Sequence, residues 1–325
     1  MEPAESRRVS IVKKNAIQFQ KGLGLHEFMD KYGSETQCAN ALYQLRWPNG
    51  FVCPECGNTT GCKLKTRKIY QCHKCHHQCS LTAGTVFHGT KLPLRKWFLA
   101  IYLLTQRKKS TSALQLSREI GVNYDTAWKL KHKLMQVMME RQREKKLSGR
   151  IEIDDAYIGG EKPGKRGRGS SNKIPFVAAV ETTQDGRPLQ MHLRRVRGFR
   201  HTEISHYAKS SLARGSTVVS DGLYCFSAVQ DARCSHIAIV TGGGRKSAQI
   251  STFKWVNTML GNVKNSLRGT FHAISRKHVP RYLAEFEYRF NRRFHLPAMI
   301  ERLLFVALRT PPMPYRFLKM AEVYR

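Results

Sequence analysis

Asp154 and Asp221 each close a short β-branched run, Arg150-Ile151-Glu152-Ile153-Asp154 and Ser216-Thr217-Val218-Val219-Ser220-Asp221. Carboxylates at strand ends can hold a divalent cation between them, because hard cations take oxygen ligands. The surrounding chain of 325 residues carries 56 Lys and Arg against 23 Asp and Glu, a formal net charge of +33. Such a surface attracts a polyanion, and nucleic acid binds it by releasing counterions from its phosphates. The two features together point to metal-dependent chemistry on nucleic acid.

Neither aspartate is diagnostic alone. An aspartate after a strand is usually solvated, and Asp221-Gly222 reads more simply as a turn. A third group strengthens the pair. No acidic residue occurs from Ala232 to Ala284, and within that span Val256, Met259, Leu260, Val263 and Leu267 fall on one helical face. Asn257, Gly261, Lys264 and Arg268 form a polar stripe along its edge. Asn257 and Lys264 are two turns apart, roughly 10 Å along the axis. An amide oxygen can serve as a neutral ligand to a hard cation, and the lysine can hold a phosphate. On periodicity alone, an N-cap for Asn257 and a solvated charge for Lys264 explain the residues better.

A second metal pattern lies upstream. Cys53-x-x-Cys56 and Cys72-x-x-Cys75 are separated by fifteen residues. This is the spacing of two knuckles closing a tetrahedron around Zn²⁺. Four thiolates leave no open position, so the zinc is expected to be structural. His73, His76 and His77 are expected outside the ligand set, and Cys38, Cys62, Cys79, Cys225 and Cys234 as free thiols. A chelator is expected to unfold this module alone.

The elements that must position these groups follow in order. Residues 1–47 read as a basic tail followed by one or two short helices, including Leu25 to Tyr32 and Glu35 to Arg46, and 48–80 as the zinc ribbon. Residues 92–147 are helical in pattern. Within them Ser110-Thr111-Ser112 can cap a first helix, Gly121 can turn the chain, and Asp125 to Leu130 resumes a second helix. That is a helix-turn-helix, held by Leu116, Ile120, Val122, Ala127 and Leu130. Tyr124, Asp125, Lys129 and Lys133 would be its face toward a major groove; a plain helical hairpin is the alternative. From residue 150, strands are expected at 151–158, 174–181, 189–196, 216–220 and 235–240, and helices at 201–212, 252–267 and 279–294. This alternation predicts a mixed α/β sheet with helical layers over 150–310, then a C-terminal tail at 311–325. The fold class is thus a multidomain α+β chain. The basic, glycine-rich segment 162–169 is expected as a loop. So is Thr241-Gly242-Gly243-Gly244-Arg245-Lys246-Ser247, whose spacing fails that of a phosphate-binding P-loop.

Bulk properties exclude other classes. The longest apolar run, Trp97 to Leu104, is far short of the ~18 residues that span a bilayer. Met-Glu-Pro-Ala-Glu-Ser has no apolar signal-peptide core, so a cytoplasmic protein is expected.

Longer motifs resemble a known family. Arg46-Trp47-Pro48-Asn49-Gly50-Phe51-Val52-Cys53-Pro54-Glu55-Cys56-Gly57 resembles the opening of the zinc ribbon in a group of bacterial insertion-sequence transposases related to the eukaryotic Merlin elements. Residues 111–134 resemble their helix-turn-helix. Glu152-Ile153-Asp154-Asp155-Ala156-Tyr157-Ile158-Gly159-Gly160 is similar to their first catalytic strand, and Ser220-Asp221-Gly222 with Tyr224 to the second. Trp255-Val256-Asn257-Thr258 through Lys264, then Leu267-Arg268-Gly269-Thr270-Phe271-His272, resembles the third. The resemblance runs over about residues 25 to 296. It implies a DDE-type transposase with a ribonuclease-H-like catalytic domain. Asp154, Asp221 and Asn257 would hold two Mg²⁺ or Mn²⁺ ions, Asn257 standing where many relatives carry glutamate, and Lys264 would position phosphate. Glu285 and Glu287 are lesser candidates for the third ligand, since their helix has its own apolar stripe. The implied partner is double-stranded DNA, both element ends and target. Pairing two ends implies a homodimer or larger assembly, cytoplasmic and nucleoid-associated. A structure-specific nuclease of the same fold, a DNA-binding regulator descended from a transposase and a zinc-ribbon RNA-binding protein are the rival readings. The last leaves Asp154 and Asp221 unexplained.

Overall fold

A computed structural model describes residues 16–64, 67–142, 145–159, 173–240, 251–271 and 274–321. The expected loops at 162–169 and 241–247, and His272, lie outside the described residues. The described chain opens with α1 (Leu25–Tyr32) and α2 (Glu35–Arg46). Ser34 starts α2 with a reciprocal cap: its hydroxyl accepts from the Gln37 N–H at 3.2 Å, and the Gln37 amide oxygen accepts from the Ser34 N–H at 2.9 Å. Strands β1 (Gly61–Lys63), β2 (Ile69–Cys72) and β3 (Gln78–Ser80) make an antiparallel sheet in that order. Helices α3 (Leu94–Gln106), α4 (Ala113–Ile120) and α5 (Tyr124–Gln142) follow. Ser112 caps α4 by accepting from the Gln115 N–H at 3.1 Å. Gly121 ends that helix at φ +63°, a left-handed conformation that a side chain would strain.

The second half is built on a five-stranded sheet of β4 (Arg150–Ile158), β5 (Ile174–Thr182), β6 (Pro188–Arg195), β7 (Thr217–Ser220) and β8 (Ser235–Ala238). The order is β6-β5-β4-β7-β8. β4, β5 and β6 are antiparallel neighbours, whereas β7 runs parallel to β4 and β8 parallel to β7. β4 is therefore central, and its two faces meet different layers. Ile151 and Ile153 pack toward α6 (His201–Ser211) and a 3-10 helix, Tyr224–Ala232. Ala156 shares the opposite core with Val256, Met259 and Val263 of α7 (Lys254–Thr270) and Val279 and Leu283 of α8 (Val279–Asn291).

Two C-terminal elements depart from expectation. α9 (Met299–Ala307) buries Ile300, Leu303, Leu304 and Ala307 in one core with Phe28, Trp97, Phe98, Leu116 and Leu130. The chain expected to belong to the sheet domain up to residue 310 thus returns to the N-terminal modules. The apolar residues of Met299-Ile300-Glu301-Arg302-Leu303-Leu304 recur at helical spacing, and the face they form fits the groove between α3 and α5. The expected tail at 311–325 contains α10 (Tyr315–Met320), whose Leu318 is buried and whose Leu318 carbonyl accepts from Arg281 Nη1 at 2.8 Å. Among the described residues, no helix is long and apolar enough to cross a membrane.

Candidate metal centres

Parallel pairing sets Glu152 of β4 opposite Val219 of β7. Continued two residues, that register brings Asp154 alongside Asp221. Asp154, Asp155 and Asp221 each offer a carboxylate oxygen, and the three oxygens lie within 4.8 Å of one another. Asp154 is not at a strand end as expected: β5 pairs with β4 through Ile158, so Asp154 stands mid-strand. It is β7 that stops, at Ser220, leaving the edge of β4 beside Asp154 open. Gly222, at φ +83°, turns the chain away there, and Asp221 Oδ1 accepts the Leu223 N–H at 3.1 Å. The Asp155 N–H donates to Asp154 Oδ1 at 2.7 Å.

Burial, helped by the charges of Asp155 and Asp221, pushes the Asp154 carboxyl up to about 7; the Asp155 amide and the Lys264 charge act the other way. Three carboxylates so close repel until a proton or a cation comes between them. All-oxygen donors with a half-buried, open edge fit a hard divalent ion such as Mg²⁺ or Mn²⁺. Sequence reasoning missed Asp155 as a member. Strand alternation assigns its side chain to the face opposite Asp154, yet the folded chain brings a carboxylate oxygen of each within reach of Asp221.

The expected apolar face of α7 is its buried set, Val256, Met259, Leu260, Val263 and Leu267. Phe253 occupies the N-cap position, so Asn257 is not a cap; it lies in the first turn, half-buried. Lys264 is exposed, and close enough for its charge to lower the Asp154 carboxyl. Glu152 was also passed over. It is buried on β4, and its Oε2 accepts the backbone N–H groups of Trp255 at 2.9 Å and Val256 at 3.0 Å at the start of α7. Its only sequence mark is the two-residue spacing from Asp154.

Glu285 and Glu287 are fully buried in other roles. Glu285 accepts from the Ser110 hydroxyl at 2.6 Å and faces Lys131 Nζ at 3.5 Å. Glu287 accepts the Leu193 N–H at 3.0 Å and pairs with Arg194 at 2.8 Å. These ion pairs hold α8 to the helical module and to β6.

The four sulfurs of Cys53, Cys56, Cys72 and Cys75 lie within 4.8 Å of one another. Cys53–Cys75 and Cys56–Cys72 are 3.6 Å apart, close to the ~3.8 Å edge of a tetrahedron with ~2.3 Å Zn–S bonds. The Lys74 N–H and the Asn58 amide point at the Cys72 sulfur at 3.4 and 3.5 Å, as knuckle donors do for a thiolate. With four thiolate donors, this cage suits structural Zn²⁺. It does not stand apart from the rest. Cys53, Cys72, Trp47 and Phe51 belong to the same core as Phe28, Trp97 and Leu304.

The surface expected to enter a groove is smaller than its sequence implied. Tyr124 and Asp125 are exposed. Lys129 Nζ sits 4.6 Å from the centre of the Tyr315 ring. Lys133 donates to the Val86 carbonyl at 3.3 Å, and burial lowers its pKa. α10 and the Val86 segment, both unforeseen, cover that flank. Beyond its first turn α5 is largely a core helix, with Leu134, Met135, Val137 and Met138 buried.

Comparison with known proteins agrees with this order of modules. Residues 33–78 match a transposase zinc-ribbon domain, and residues 146–291 match an ISXO2-like transposase domain. A protein of the transposable element ISH50 of Halobacterium salinarum is 35% identical over 138 residues, 42% of this chain and 45% of the relative. The chain thus aligns with less than half the length of that curated relative. A chain of a pre-cleavage Mos1 transpososome crystal structure is 9% identical over 61% of this chain and 77% of its own, with a TM-score of 0.19, too low to relate the two folds. The chain thus carries a transposase zinc-ribbon domain ahead of an ISXO2-like transposase domain.

Proposed function

We propose that this chain is a DDE-type transposase that cuts DNA at the ends of its own element and joins them to a target. The observation that carries the reading is the convergence of Asp154, Asp155 and Asp221 at the edge between two parallel strands. The sheet order, with three antiparallel strands and two parallel ones, is read as ribonuclease-H-like. Asp154 and Asp221 would hold the catalytic ions, with Asn257 as a neutral third ligand and Asp155 as a further oxygen donor. Bound Mg²⁺ or Mn²⁺ would supply the acidity that activates a hydroxyl nucleophile and the charge that stabilises the departing oxygen.

The chain's own groups do the remaining work. Lys264, two turns along α7 from Asn257, binds the phosphate being cut. The half-buried setting of Asp154 limits bulk water at the carboxylates. In the first reaction, water oxygen bonds to phosphorus and the 3′-oxygen leaves as a hydroxyl. In the second, that 3′-hydroxyl bonds to a target phosphorus and a target 3′-oxygen leaves. One phosphodiester replaces another, so no external energy source is required. The zinc ribbon, together with the α4–α5 pair read as a helix-turn-helix, supplies DNA contacts. Two copies bring the two ends together.

The test is cleavage of a DNA fragment bearing the element's terminal repeat. Asp154→Ala and Asp221→Ala are expected to abolish cutting while leaving end binding intact. Full cleavage by both single variants would sink the proposal. Cutting without any joined product would identify a nuclease of the same fold instead.

A further inference from the structure

Arg150, Glu152 and Asp154 alternate along β4 and so share one of its faces. Asp154 belongs to the acid cluster. The other two grip the beginning of α7. The first N–H groups of a helix have no partner within it, and Phe253 at the N-cap position offers no side-chain acceptor. Glu152 fills that place from across the sheet with its two bonds to Trp255 and Val256. Arg150 completes the grip. Its Nη1 donates to Glu152 Oε1 at 2.9 Å and to Thr182 Oγ1 on β5 at 3.1 Å, and its Nη2 donates to the Thr252 carbonyl at 3.0 Å. Glu152 is 1% exposed, so its charge-assisted bonds to the two N–H groups form away from water and hold their geometry firmly.

We propose that Glu152 is a positioning residue. It pins the N-terminus of α7 to the strand that carries Asp154, and so fixes where Asn257 and Lys264 stand relative to the carboxylates. Glu152 is ~7 Å from Asp154 along the strand. Asn257 directly follows the clamped Val256. A displacement of a reacting group by about 1 Å can cost on the order of 10²-fold in rate. An ordinary helix cap would affect stability alone. The catalytic consequence rests on the transposase reading; the clamp itself does not.

The experiment uses the full-length, zinc-loaded protein. Amide hydrogen exchange is measured without DNA on wild type, Glu152→Ala and Glu152→Gln. In Glu152→Ala, the Trp255 and Val256 amides are expected to exchange at least about tenfold faster, with β4 unchanged. Single-turnover cleavage then follows at a temperature where circular dichroism shows every variant folded. The rate of Glu152→Ala should fall by about 10²-fold at unchanged Kd for DNA ends. Glu152→Gln keeps one oxygen for the two amides and should stay within about tenfold of wild type. The double variant Glu152→Ala/Asn257→Ala should be little slower than the slower single one, because both act through one helix. Unchanged exchange, a rate loss that tracks the unfolded fraction, or additive effects would each overturn the proposal. If Glu152→Ala does not fold, Glu152→Asp, one methylene too short, takes its place in all three measurements. A wild-type protein that cuts no DNA would end the transposase reading, and the exchange data would still judge the clamp.

Discussion

The zinc cage and the acid cluster are both candidate metal sites of four or fewer side chains, yet they are encoded differently. The cage draws its ligands from two knuckles on one short stretch of chain, Cys53 to Cys56 and Cys72 to Cys75. Its geometry follows from spacing. The cluster draws Asp154 and Asp155 from β4 and Asp221 from the end of β7, with β5, β6 and α6 intervening in the sequence. Its geometry follows from strand order and register. A local site can be lost by touching its own segment. A site made by topology fails when any element that sets the register shifts.

The largest effect expected from breaking this contrast is at the cluster. Asp221→Ala should lower cleavage by about 10³-fold or more, the scale of removing a group that helps hold transition-state charge. Zinc content, read by a colorimetric chelator, should be unchanged. The melting temperature should hold or rise, because one of three mutually repelling carboxylates is gone. A fall in zinc content would mean the two centres are coupled through the fold. The reverse experiment removes zinc. Binding energy in such modules is folding energy, so chelation should unfold β1 to β3. Because Cys53, Cys72 and Trp47 are continuous with the core of α2 and α3, the loss should spread to those helices rather than stay in the ribbon as its sequence suggested. Amide exchange would show protection lost over residues 33–106 and kept over β4 to β7.

That continuity is one of the features the sequence hid. Cys-x-x-Cys spacing, the Ser112 cap and the α7 stripe are local patterns, and each is legible because its cause lies within a few residues. The bounds of α1 and α2 follow from the same kind of pattern. Asp154 and Asp221 were legible as residues but not as neighbours: nothing in either run states that β7 lies beside β4 rather than beside β5. Asp155 was hidden because alternation assigns it to the face opposite Asp154. Glu152 was hidden because its partners are backbone N–H groups, which leave no side-chain signature. Lys133 read as a free cation because the chain around Val86 carries no regular pattern to warn of its approach.

The two centres should also respond differently to acid. Asp154 is raised to about 7, chiefly by burial, against about 3.9 for an unperturbed aspartate. A folded-state value above the unfolded one means the folded metal-free protein holds that proton more tightly. Its contribution favours folding at low pH and is lost as pH rises from about 4 through 7. Divalent ions compete for the same oxygens. Mn²⁺ affinity should therefore rise by up to about tenfold per pH unit below pH 7 and level off above it. Calorimetry in buffers of different ionisation enthalpy should find about one proton released per bound ion at pH 6 and few at pH 8. A flat affinity from pH 6 to pH 8 would mean that Asp154 does not contact the ion.

The smallest effect sharpens the comparison at its neutral ligand. The zinc cage is closed by four like donors, whereas the cluster would take its third ligand from a helix and from a neutral side chain. Asn257→Glu adds a negative charge on the first turn of α7, whose N-terminal dipole favours it. If Asn257 is a ligand, Mn²⁺ should bind more tightly, by about tenfold at most, since the new carboxylate also adds to the repulsion around Asp154. Asn257→Ala should weaken binding by a similar factor and leave zinc untouched. Equal affinities across the three proteins would place the third oxygen on Asp155 and make the cluster an all-aspartate site. In that case the helix would matter only for Lys264 and for the wall it builds over the sheet.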